Sequence, residues 1–124
     1  MKTDNQILTD SKAFAIRIIK LYMYLKENKQ EYILSKQILR SGTSIGANVR
    51  ESVNAQSLMD FINKMNIALK EANETEYWLE LLNETSFIDE KQFSSINNDC
   101  SKIVGTLTKI IKTAKKRIEE ENKK

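Results

Sequence analysis

Apolar residues in this chain recur every three or four positions, and no stretch alternates apolar with polar over the length of a strand. The first such run, SKAFAIRIIKLYMYLKEN, gathers Phe14, Ile18, Leu21, Tyr22 and Leu25 on one helical face, widened by Ala15 and Ile19. With Asp10 as N-cap it predicts a helix over residues 10–29, behind a polar lead-in at residues 1–9. Ser35 then reads as the N-cap of a second helix running to Ala55, with Leu34 and Leu39 placed for a hydrophobic staple. Ile38, Ile45, Val49 and Val53 carry its stripe. Gly42 and Gly46 lie four apart on one face, where another backbone can approach closely, within the subunit or across an interface.

The third and fourth runs carry clear start signals. Ser57 is a strong N-cap with Asp60 three residues on, a near capping box. Phe61, Ile62, Met65, Leu69, Ala72, Leu79 and Leu82 form the stripe that follows, toward Glu84. Trp78 and Tyr77 sit beside it, either at the edge of their own core or as interface anchors. The last helix starts near Asp89, with Gln92 three residues on. Its stripe is Phe93, Ile96, Cys100, Ile103, Leu107, Ile110 and Ala114, and Val104, Ile111 and Ile118 form a second column at seven-residue spacing. Gly105 marks another close approach. These runs predict one all-α domain over residues 1–124, an up-and-down antiparallel four-helix bundle. The second column suggests burial on two sides, so Gly42, Gly46, Trp78, Val104 and Ile111 are the candidate contacts of a homo-oligomer.

Composition supports this architecture: 124 residues with no proline and three glycines favour long helices in a single domain. The chemistry it excludes is more informative. Without histidine, Ser-His-Asp and Cys-His pairs and histidine metal sites are absent. The single Cys100 allows neither an intrachain disulfide nor a structural zinc site, and it falls at a core position, as an inert thiol would. No metal, no cofactor and no enzyme activity is expected. No apolar run approaches the roughly 20 residues that span a bilayer, and the start lacks the apolar core of a signal peptide, so a cytoplasmic protein without membrane contact is expected.

Charge is segregated along the chain. Residues 1–30 hold six basic and three acidic side chains, residues 57–88 two and six, and residues 89–124 nine and six. Lys102, Lys109, Lys112 and Lys116 fall along one side of the last helix, beside Lys115 and Arg117, and the first helix adds Lys12, Arg17 and Lys20. Such a stripe suits nucleic-acid phosphates; its plain alternative is a solubilising surface. Arg17, Lys20, Lys109, Lys112, Lys116 and Arg117 are the candidate contacts, with Arg40 and Arg50 near the glycines as additions. The acidic face of Glu74, Glu76, Glu80 and Glu84 offers the alternative function, a scaffold docking a basic protein such as a polymerase.

The stretch LSKQILRSGTSIGANVRESVNAQS followed by DFINKMNIALKEANETEYWLELL resembles the bacterial 23S rRNA intervening-sequence proteins, also called S23 ribosomal proteins. Ser41, Ser44, Ile45, Asn48 and Glu51 match the family's S-I-x-x-N-I-x-E-type segment. Gly46 stands where many relatives carry proline, and Arg50 where many carry alanine. The resemblance implies a four-helix subunit. It extends to the accessory variability determinant proteins of diversity-generating retroelements, which form a barrel-like homopentamer, bind nucleic acid and partner a reverse transcriptase. For this chain it implies a homo-oligomer, with a pentamer favoured, and RNA or DNA as a partner. The family's label comes from genes lying within rRNA intervening sequences and assigns no ribosomal role.

Overall fold

The computed structural model describes residues 5–123 and forms four α-helices from them: α1 (Asn5–Lys29), α2 (Leu34–Ser52), α3 (Leu58–Glu84) and α4 (Glu90–Asn122). Short connections make successive helices antiparallel neighbours. Each helix packs on the two beside it, so α1 and α3 stand on one diagonal of the bundle and α2 and α4 on the other.

The helix starts show where local chemistry decides and where it does not. Asp89 accepts the Gln92 N–H at 2.7 Å while the Asp89 N–H donates to Gln92 Oε1 at 2.9 Å, a complete capping box. Ser57 Oγ likewise accepts the Asp60 N–H at 3.0 Å, but the Asp60 carboxylate reaches back to the Gln56 N–H rather than to that of Ser57. The expected Ser35 cap is corrected. Glu31, almost fully buried, accepts the Ser35 N–H at 2.7 Å and the Ile33 N–H at 3.3 Å. Ser35 is therefore inside α2, with its hydroxyl donating to the Glu31 carbonyl at 2.8 Å, and Leu34 opens the helix instead of forming one leg of a staple. This helix ends at Ser52, short of Ala55, and Val53 lies exposed. The start of α1 is also earlier than expected. Asp10 lies within the helix, accepting from Gln6 Nε2, and Ile7 is fully buried; residues 1–4 of the expected lead-in lie outside the described residues.

Phe14, Ile18, Ile38, Ile45, Met65, Leu79, Cys100 and Leu107 lead a single core running the length of the bundle. Each fully buried aliphatic side chain contributes about 2 kcal/mol of transfer free energy. Between α2 and α3 the buried Thr75 and Ser41 hydroxyls lie 2.8 Å apart, and the Thr75 hydroxyl is also 2.8 Å from the Glu71 carbonyl, so the polar groups at this close helix contact are partnered.

The residues proposed for an oligomer contact are used inside the subunit. Gly42 is buried against Ile18 of α1, and Gly46 faces the Ser11 backbone, where an added Cβ would lie 3.3 Å from the carbonyl oxygen. Ile111 is buried in its own core. Trp78 and Val104 are half-buried and packed on that core, and the Trp78 indole N–H reaches Glu74 at 3.3 Å. Along the wide apolar arc of α4, Ile103, Leu107 and Ile111 are buried, while Val104, Ile110 and Ile118 are half-buried against the same core. Gly105 has nothing within contact distance, so no close approach occurs there.

Candidate nucleic-acid interface

The basic stripe of α4 stands free on the surface. Lys102, Lys109, Lys112, Lys116 and Arg117 are all exposed, and none makes an ion pair among the described residues. Ser95 and Asp99 stand opposite Arg17 in an antiparallel pair, so the first described residue of α1 falls roughly level with Ile111 at the usual helical rise. Lys112, Lys115, Lys116 and Arg117 therefore sit on turns of α4 that extend beyond it. A row of ammonium groups without carboxylate partners raises the local positive potential and suits a polyanion.

Two of the candidate arginines are already engaged. Arg17 Nη1 donates to Asp99 Oδ2 at 2.7 Å and to the Ser95 carbonyl at 3.2 Å, while Nη2 donates to Ser95 Oγ at 2.9 Å. This residue clamps α1 to α4. Arg40 bridges α2 to α3, with Nη1 on Glu71 at 3.1 Å and Nη2 on Glu74. The Glu74 hydrogen bond raises the Arg40 pKa, and the same bond holds the Glu74 carboxyl below the usual carboxylate range. Both arginines serve as interhelical struts within the subunit.

Lys20 and Arg50 remain exposed and open. Arg50 borders a groove of about 220 Å³ between α1 and α2, together with Lys12, Thr43 and Gly46. Lys20 borders a larger furrow of about 440 Å³ between α1 and α4. The residues that line this furrow from α4, Lys91, Gln92 and Ser95, and Tyr24 of α1 were not legible as a site. They come together only through the antiparallel pairing of helices that lie far apart in the chain.

The acidic face of α3 is partly used up. Glu71 and Glu74 hold Arg40, and Glu76 accepts the Ser101 hydroxyl at 2.9 Å. Tyr77, Glu80 and Glu84 are left exposed. The Cys100 thiol is fully buried, donates to the Ala72 carbonyl at 3.4 Å and is pushed up to about 12 by burial. No cluster of three or more metal-ligating side chains occurs among the described residues, and none of their helices is long and apolar enough to cross a membrane.

Residues 3–109 match the family model of the 23S rRNA-intervening sequence protein. The chain belongs to that family. The family's fold is also evident in a solved structure, a protein of unknown function from the S23 ribosomal protein family of Bacteroides thetaiotaomicron VPI-5482. That protein is 58% identical to this one, with a TM-score of 0.87 over 90% of this chain and 99% of the other. No curated protein matches the chain significantly. Family membership explains the four-helix architecture, and the chemistry has to be argued from the surface.

Proposed function

We propose that this protein is a non-catalytic, cytoplasmic bundle that binds RNA or DNA through the basic stripe of α4, with Lys20 and Arg50 as outlying contacts. The observation that carries this reading is the set of unpaired cations at Lys102, Lys109, Lys112, Lys116 and Arg117. Arg17, Arg40 and Lys64 are matched to carboxylates, and among the remaining exposed cations those of α4 form a row along one helix. A surface ion pair adds at most about 1 kcal/mol, so leaving these cations unpaired costs the fold little and keeps them available to phosphates. Changing Lys109, Lys112 and Lys116 together to glutamate should abolish retention of labelled RNA and DNA in fluorescence anisotropy at low salt, with helicity unchanged by circular dichroism. Undiminished binding would remove the stripe as the site.

A second observation favours self-association. Ile16, Ile19 and Met23 recur at helical spacing on α1 and are 46%, 42% and 47% exposed. Lys12, Lys20 and Lys26 flank this apolar strip, and α3 offers exposed Tyr77 beside Glu80 and Glu84. A second copy is the occupant with matching charge. Because α1 and α3 lie on one diagonal, their outer faces point in opposite directions, and a contact between them is head-to-tail. Such contacts close into rings when the rotation allows, and the pentamer implied by the resemblance is one such ring. A basic protein partner would compete for the same α3 face.

A further inference from the structure

The seam between α1 and α4 is the most open of the four. Long polar side chains face each other across it, since Arg17, Lys20, Asp99 and Lys102 keep their charged ends at the surface, and Ala13 is too small to fill the gap they leave. The Arg17 clamp divides the seam into a hollow of about 120 Å³ beside Phe14 and the furrow of about 440 Å³. The larger volume falls within the roughly 300–1,000 Å³ typical of small-ligand sites.

The furrow has an apolar floor and a basic rim. Ile88 and Ile96 are buried at its base, with Leu21 and Tyr24 half-buried alongside. Lys20 from α1 and Lys91 from α4 stand exposed at its edges, and Asp99 nearby is neutralised by Arg17. Two hydrogen-bond donors remain for an occupant. Gln92 uses its carbonyl oxygen on the Asp89 N–H, which leaves its amide NH₂, and Ser95 Oγ accepts from Arg17, which leaves the hydroxyl proton.

We propose that this furrow seats one unpaired base of a single-stranded nucleic acid, with its flanking phosphates on Lys20 and Lys91. The inference rests on the nucleic-acid reading above and adds its strand preference. An unpaired nucleotide combines a flat apolar face with anionic flanks, the combination that this floor and rim complement. A duplex keeps its base faces stacked inside and presents phosphates, sugars and base edges instead. The Tyr24 ring supplies the stacking surface, and Gln92 and Ser95 donate to the base's carbonyl or ring-nitrogen acceptors.

The test is anisotropy of a labelled short oligouridine and of a labelled RNA duplex, each titrated with salt. Tyr24→Leu should weaken the single strand by about tenfold while leaving the duplex unaffected, since stacking on an aromatic side chain is lost without a phosphate contact. Tyr24→Phe should retain the affinity. The exposed pair Lys20→Ser and Lys91→Ser, which places no demand on folding, should reduce the salt slope for the single strand by about 1.4. Equal single-strand binding by wild type, Tyr24→Leu and the double lysine variant would overturn the furrow while leaving the α4 stripe intact. Wild-type protein that retains neither probe at low salt would overturn both.

Discussion

A Cβ placed on Gly42 would lie 2.7 Å from Ile18 Cγ1 and 2.8 Å from Cγ2, closer than carbon atoms approach each other. Ile18 is fully buried and branched at Cβ, so it cannot swing aside, and α1 would have to move instead. Gly42→Ala should therefore destabilise the fold by about 1–3 kcal/mol in urea titration, the usual cost of overpacking. Gly105→Ala meets open space and removes a helical glycine, so it should stabilise by about 0.5–1 kcal/mol in the same assay. Cys100 gives a second residue-level prediction. Its thiol stays protonated in the fold up to about pH 12, because burial comes first and Glu76 and Asp99 add to it, whereas an unfolded thiol ionises near 9. The stability this provides is complete below pH 9 and is lost as pH rises toward 12. Cys100→Ala should flatten that part of the stability curve, and the native thiol should resist iodoacetamide at pH 8 until urea unfolds the chain.

At the scale of the helix, the caps divide cleanly by how local their chemistry is. Asp89 with Gln92 is a reciprocal contact and Ser57 with Asp60 a one-way one, both within one turn, and residue types at fixed spacing are enough to reveal them. The cap of α2 follows different geometry. Glu31 lies before the helix and bends its carboxylate over the Ile33 and Ser35 N–H groups, a shape that depends on the loop after α1, where Gln30 takes a positive φ of 50°. Serine is the commoner cap, which is why Ser35 reads as one. Glu31→Ala should cost about 1–2 kcal/mol, as for loss of a charged cap, and more than Ser35→Ala. Equal losses in thermal or urea unfolding would return the cap to Ser35.

For the whole molecule, the arrangement of helices decides which charges are available. Arg17 and Arg40 look as free as Lys109 along the chain, yet each faces carboxylates on a helix far away in sequence, and folding brings them together. The same arrangement sets the apolar strip of α1 and the Tyr77 face of α3 on opposite sides. If these faces join copies, Ile19→Glu with Met23→Glu should reduce the light-scattering mass of the purified protein to that of one chain. A variant that keeps the wild-type oligomer mass would free the α1 face from that role.

The sequence by itself determined the fold class, the four helices, most of the core and the caps of α3 and α4, because all of these depend on contacts within a turn or on the period of one helix. It also located the lysine stripe of α4, whose members share one helix face. Only the tertiary structure decided that Gly42 and Gly46 serve α1 of their own subunit, that Ile111 is core, and that Arg17 and Arg40 are struts. It alone assembled the furrow of Lys20, Tyr24, Lys91 and Gln92. These features need two helices brought side by side in a particular pairing, and the period of either helix carries no record of which residue it will meet.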